Sequence, residues 1–236
     1  MRELEPAELT GRLEPQPRVQ PPVREDVWES AYLAFETPEQ EIQKFTQRLV
    51  KLGAEQISRD RQVVELFCGR GNGLHALHRL GFRNIEGLDL SPRLLGKYEG
   101  EAKCYVCDCR QLPFARHSKD LLIIQGGLHH LNRLPEDLEQ TFREARRVLR
   151  RDGFIMVVEP WLTPFLRLVH KFCEAKMARH FSAKLDSLAT MIEYERATYE
   201  RWLGNPGMIL ALSRAHFVPV RESFRWGKWS FVGKPL

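Results

Sequence analysis

Residues 63–77 read VVELFCGRGNGLHAL. An apolar run of strand type feeds glycines at 69, 71 and 73, and a helical pattern follows. Glycine lets a backbone come close to a ligand, and a helix that starts there offers unpaired N–H groups. The spacing is G-x-G-x-G. It is not the G-x-G-x-x-G of a dinucleotide fold, and the Gly-Lys-Ser/Thr of a P-loop is absent. Glu65 lies inside the strand-like run. Asp89 ends the next such run, IEGLDLS, about 20 residues beyond the loop, where a carboxylate can accept from both hydroxyls of a ribose. Asp108 ends a third, in CYVCDCRQLPF.

The chain around this loop alternates between two periods. QVVELF, NIEGLDL, CYVCD, LLIIQ and FIMVVE read as strands. NGLHALHRLG, ended by Gly81, reads as a helix, and Ser91-Pro92 opens another. PEDLEQTFREARRVLRRDG is a long one, with Leu138, Phe142, Ala145 and Leu149 on one face. Apolar strands separated by helices imply a parallel sheet covered on both faces. Upstream, Thr37, Pro38 and Gln40 form a helix start, Ile42, Phe45, Leu49 and Leu52 follow at helical spacing, and Gly53 ends the run. Residues 161–204 read as helices only, PGMILALSRAHF as one more, and VPVRESFRWGKWSFVGKP as two strands about Gly227.

Composition bounds the rest. The 236 residues are 28% charged and 43% hydrophobic, which fits one ordinary soluble domain. No apolar run reaches the ~20 residues of a membrane span, and the N-terminus has no apolar signal core. Residues 1–27 hold five prolines and read as a disordered tail, with a cap-helix region over 28–59 and the main domain over 60–236. Five cysteines without framework spacing suit a reduced, cytoplasmic setting. The net charge is +5, and residues 161–236 carry twelve Lys/Arg against six Asp/Glu. That surplus suits an anionic acceptor or nucleic acid, or simply a solvated face.

With these residues in order, the chain resembles the class I S-adenosylmethionine-dependent methyltransferases, well over roughly residues 60–160 and loosely at the terminal hairpin. The resemblance implies a Rossmann-like α/β fold: a seven-stranded, mostly parallel sheet with a C-terminal β-hairpin and a helical lid inserted at about 161–204. It implies S-adenosyl-L-methionine as cofactor. In that family the first motif is acidic-x-Gly-x-Gly-x-Gly, and Phe67 stands here in place of the first glycine. Carried over by position, Glu65, Cys68, Gly69 and Gly71 form the cradle. Asp89 with Leu90 meets the ribose, Asp108 with Cys109 the adenine, and Gln125 lines the cofactor. LLIIQGGLHHL matches the fourth strand and its loop, and EARRVLRRDGFIMVVEP the helix and fifth strand of members acting on small molecules.

Other residues have a plainer reading beside the functional one. Cys104, Cys107 and Cys109 lack a second ligand pair, and strand alternation turns Cys104 away from Cys107, so no metal is expected. His130 and Glu159 lie at the sheet edge where ligands bind and are the candidate catalytic contacts. The plainer reading has the first shape a loop and the second cap a helix. His170, His180 and Tyr194 read as packing or surface. Trp161, Phe165, Phe172, Tyr199 and Trp202 give the insert an aromatic surface, part of it the lid's own core.

The expected activity is methyl transfer to a small-molecule acceptor such as a metabolite, lipid, sugar or quinone-like compound. An RNA/DNA methyltransferase is an alternative, but QGGLHH is not the Asn/Asp-Pro-Pro-aromatic motif used on base amino groups, no Pro-Cys pair supplies a thiol for cytosine, and no RNA-binding appendage is visible. Tight nucleic-acid binding is therefore not expected. A non-catalytic cofactor-binding module is a further alternative, resting on Phe67 alone.

Overall fold

The computed structural model describes residues 25–174 and 183–236. Seven strands form one sheet: β1 (Gln62–Leu66), β2 (Asn84–Asp89), β3 (Lys103–Val106), β4 (Lys119–Gln125), β5 (Leu149–Pro160), β6 (Phe217–Arg225) and β7 (Lys228–Pro235). Their order is β3-β2-β1-β4-β5-β7-β6. The first five are parallel, and β7 runs antiparallel to both β5 and β6. The expected mostly parallel sheet with a terminal hairpin is the one observed.

The helices are α1 (Glu25–Phe35), α2 (Pro38–Leu52), α3 (Asn72–Arg79), α4 (Pro92–Leu95), α5 (Glu136–Val148), α6 (Pro164–Glu174), α7 (Ala183–Tyr194), α8 (Arg196–Gly204) and α9 (Pro206–His216). Strand alternation divides the core between the sheet's two faces. Val63, Leu121, Ile123, Met156 and Val232 pack against α2 and α3 through Ile42, Leu49, Leu52, Leu74 and Leu77. Val64, Leu66, Leu122, Ile124, Val157 and Phe231 pack against α5 and α9 through Leu138, Phe142, Ala145 and Ile209, joined by Trp202 of α8.

Local sequence sets most of these boundaries. Thr37 and Gln40 form a reciprocal capping box ahead of α2, Pro38 is in its first turn, and Gly53 closes it at φ +96°. Ser91 caps α4 by accepting from Leu94 N–H. Two boundaries differ from the periodicity. Leu149 belongs to β5 and not to α5, because the helix stops at Val148, where strand pairing with Lys119 takes over. The second is α1, in a stretch assigned partly to a tail. Trp28, Tyr32 and Phe35 do fall at helical spacing there. Of the residues read as a tail, 1–24 lie outside the described residues, as does His180.

Candidate functional site

The sheet order reverses between β1 and β4, one strand running to β2 and the other to β5. The crevice beyond the carboxyl ends of such strands is where open α/β sheets bind ligands. The strand ends are in register there, with Leu66 beside both Leu88 and Ile124. The register therefore brings together the loops carrying residues 67–71, 89–91 and 125–130.

The loop after β1 keeps its glycine-like shape despite Phe67. Phe67 adopts φ +58°, the left-handed region a glycine would take without strain. Gly69 (φ +53°) and Gly71 (φ +81°) complete the turn, and Gly71 caps α3. The Phe67 ring crosses to the loop after β4: a Cβ added at Gly127 would lie 2.1 Å from it. A Cβ at Gly73 would lie 2.0 Å from the Glu65 carboxylate, so the third glycine leaves room for an acid over the start of α3.

Glu65 is 2% exposed. Burial first, with the nearby carboxylates Glu41 and Asp89, pushes it up to about 8. Its Oε1 accepts from Gln125 Nε2 at 3.3 Å, while its Oε2 and Gln125 Oε1 are buried without a hydrogen-bond partner. Buried acceptors left open at a glycine cradle fit a ligand that brings donors. Asp89 accepts from Gly69 N–H and Ser91 N–H, each at 2.8 Å, and so braces the loop as well as facing the crevice. Burial raises its pKa, and those N–H groups pull the other way. Leu90 is 61% exposed. Asp108 is chelated by Arg110, which outweighs burial and lowers its pKa; Arg110 also holds Asp137. Cys109 is buried, with its sulfur 3.5 Å from Thr141 Oγ1. Cys68 is buried within the loop.

Several residues at this site had no part in the sequence expectation. The Tyr32 hydroxyl on α1 donates to Glu41 at 3.1 Å and lies against Gly69. Arg70, between the two loop glycines, is buried against Glu41 at 2.8 Å and donates to the Glu36 carbonyl. Asn72 donates to the same Glu41 oxygen. Glu29 holds Ser91 Oγ and Arg93. These contacts lay α1 across the glycine loop and the Asp89 loop. The position of Arg70 in the loop was a signal for them; Glu41 gave none, because its loop partners Arg70 and Asn72 are 29 and 31 residues away.

Glu159 does not face an acceptor. It is 0% exposed, and its carboxylate accepts from Gly127 N–H (2.7 Å), Leu128 N–H (2.8 Å) and His129 Nδ1 (2.7 Å). Every oxygen is engaged in fixing the loop after β4, so the catalytic-contact expectation is corrected to positioning. Glu195, in the turn between α7 and α8, meets that loop from above, 3.7 Å from His129 Nε2 and 3.2 Å from His130 Nδ1. Burial alone would lower His129; its two carboxylates outweigh it and raise it to about 9. Burial opposes the shift of Glu195, but the histidines hold it down at about 2. One ligating atom of each of His129, His130 and Glu195 lies within 4.8 Å of the others. Glu195 thus sits against both imidazoles, 3.7 Å from one and 3.2 Å from the other. His130 also meets the Trp28 ring edge-on at 5.5 Å.

Residues 164–174 and 183–204 form the helices of the insert. Its aromatic residues divide. Trp202 is 0% exposed and donates to the Pro160 carbonyl, and Tyr199 is buried against His129 and His170. Phe165 and Phe172 are exposed. A cavity of ≈ 510 Å³ lies among α6, α7 and α8, lined by apolar residues such as Leu162, Ala189, Ile192 and Leu203 together with His170 and charged side chains.

Comparison with known proteins agrees with this geometry. Residues 64–157 match the methyltransferase domain family. Over 120 residues the chain is 31% identical to a demethylmenaquinone methyltransferase of Thermotoga maritima, covering 49% of this chain and 50% of that protein. The chain thus spans about half the length of this curated relative. Among solved structures, one from Pyrococcus horikoshii is similar at a TM-score of 0.60 and 20% identity, covering 80% of this chain and 89% of that one. A 1,6-didemethyltoxoflavin-N1-methyltransferase of Burkholderia thailandensis, solved with its substrate and S-adenosylhomocysteine, is similar at 0.53 and 16%, covering 90% and 86%. These two likenesses concern the fold.

Proposed function

We propose that this chain, whose residues 64–157 match the methyltransferase domain family, is a class I S-adenosylmethionine-dependent methyltransferase that transfers a methyl group from that cofactor to a small-molecule acceptor. One observation carries the reading: the glycine loop, Asp89 and the open acceptors of Glu65 and Gln125 converge at the β1/β4 switch point. The cofactor supplies an activated methyl on a sulfonium. Glu65 and Gln125 would offer acceptors for its ammonium, Asp89 for its ribose hydroxyls, and the Asp108–Cys109 turn would hold its adenine.

The chain's own share in the reaction is placement and exclusion of water. Helix α1 roofs the cofactor side, and α6 to α8 the acceptor side. Glu159 fixes the loop after β4, and with it the position of His130. Glu195 pairs with His130 at Nδ1, which leaves Nε2 as the proton acceptor for an acceptor that must lose a proton. The mostly apolar cavity in the insert suits a small apolar body, and the named activity of the Thermotoga relative, on a quinone precursor, points the same way.

The test uses methyl-radiolabelled cofactor with small-molecule and lipid extracts, and separately with total RNA. Label entering a small-molecule fraction, and falling about 10²-fold or more in His130→Ala for a protonated acceptor, supports the reading. Label entering RNA alone overturns it.

A further inference from the structure

We infer that Lys228 and Arg48 form an oxyanion site at the acceptor end of the cleft, and that the acceptor carries a carboxylate or phosphate. This rests on the methyl-transfer reading and narrows its substrate class.

Lys228 opens β7 opposite Pro160, the last residue of β5, so it stands at the carboxyl edge of the sheet. Alternation fixes its side. Trp229 and Phe231 enter the core with α5 and α9, while Val232 enters the core with Ile42, Leu49 and Leu52 of α2. Lys228 has the parity of Val232 and points to the α2 side. On α2, Lys44 and Arg48 are four residues apart and share a face. Both Arg48 and Lys228 are partly buried.

The local carboxylates are already committed. Glu36, in the turn between α1 and α2, is held by Lys44 and by Lys184 of α7. Glu41 takes Arg70, Asn72 and Tyr32. Glu159 takes the loop after β4. Among the described residues the side chains of Arg48 and Lys228 make no hydrogen bond or ion pair; the Arg48 guanidinium only overlies the Phe45 ring at 5.4 Å. Lys44 and Lys184 thus share the carboxylate of Glu36, and Arg48 and Lys228 lie within electrostatic reach of it.

Unpaired cations withdrawn from water are strongly unfavourable unless an anion joins them. The consequence is visible at Lys228, whose ammonium is pushed down to about 7 by burial first and by Arg48 and Lys44 next, with Glu159 and Glu36 opposing. An arriving oxyanion reverses that balance and restores the proton. The site lies beside the glycine loop, since Arg70 ties the Glu36 turn to it. It gives the basic terminal third a specific use.

The protein is saturated with S-adenosylhomocysteine and titrated at pH 8 with inorganic phosphate, and separately with benzoate, at constant ionic strength. Calorimetry in two buffers of different ionisation enthalpy reads proton uptake. The expected result is saturable binding of one probe or both, with uptake approaching about one proton per anion. Which probe binds distinguishes phosphate from carboxylate acceptors. Lys228→Met and Arg48→Met each weaken it about tenfold or more, and abolish the uptake in the lysine variant. Lys171→Met, an exposed cation on α6, leaves it unchanged.

Thermal midpoints give a second readout that a structural lysine would not produce. Without anion, Lys228→Met raises the midpoint, because an unpaired buried cation is gone; a lysine that secretly pairs with the fold lowers it on removal. Absence of probe binding, equal loss in Lys171→Met, or a lowered midpoint in Lys228→Met overturns the inference. Binding of S-adenosylhomocysteine to the same samples separates the outcomes: its failure removes the methyl-transfer reading, and its success without oxyanion binding removes only this site.

Discussion

At the scale of single residues, two loops of the cleft are fastened by contacts that leave no slack. The Phe67 ring occupies the space a side chain at Gly127 would need. Gly127→Ala is expected to lose about 1–3 kcal/mol of stability by overpacking, and Phe67→Gly in the same chain to recover most of it. Urea unfolding of the two single variants and the double variant measures this; additive losses would show that the ring and the glycine do not interact. His129 gives a pH signature. Its folded pKa, about 9, lies above its ordinary 6.5. The stabilisation is therefore fully present below about pH 6.5 and disappears as pH rises through 9. The urea midpoint should fall more between pH 7 and 10 for the natural chain than for His129→Gln. Parallel profiles would mean that the imidazolium between Glu159 and Glu195 adds nothing.

At the scale of elements, helix α1 and the helical insert differ in how they are held. Helix α1 touches the cleft through Tyr32 at Gly69 and Glu29 at Ser91. Glu29→Ala is expected to weaken S-adenosylhomocysteine binding severalfold while the thermal midpoint stays within about 2–4 °C. A large fall in the midpoint with unchanged affinity would make α1 part of the core and not a strap. The insert, by contrast, drives Trp202 into the core beneath α8 and bonds it to Pro160. Excising all of 163–202 would therefore leave the sheet's end uncovered at that point.

The sequence announced α2, whose caps are local, and the strands around the loop, whose runs are apolar. It left the start of α1 in the tail and gave no sign of its partners Gly69 and Ser91, which are far along the chain. It misassigned Leu149 because a helix face and a buried strand both ask for leucine there. The place of Asp89 beside the glycine loop was legible from position alone, whereas the partners of Glu159 and Glu195 come from contacts that only folding creates.

At the scale of the molecule, the proposed small acidic acceptor and a polyanion differ in the spread of cations each needs. The cations of the terminal third are dispersed: Arg214 is paired with Glu222, Lys184 with Glu36, and Arg221 with the Lys51 carbonyl. A surface that tracks a phosphate backbone needs many free cations together. At 150 mM salt, fluorescence anisotropy with mixed RNA and DNA oligomers should show no sub-micromolar binding. A tight complex that loses ~10³–10⁵ in affinity between 50 and 200 mM salt would replace this account with a nucleic-acid one. Among the described residues no helix is long and apolar enough to cross a membrane.

The central claim is that the crevice between β1 and β4 holds S-adenosylmethionine through Asp89 and the glycine loop. Calorimetry with S-adenosylhomocysteine and with NAD, on the natural chain and on Asp89→Ala, tests it most directly. The account predicts that S-adenosylhomocysteine binds one-to-one, that NAD does not, and that Asp89→Ala weakens binding by about 1–3 kcal/mol as the ribose loses its charged acceptor. Binding of NAD in its place, or an affinity unchanged in Asp89→Ala, would contradict it.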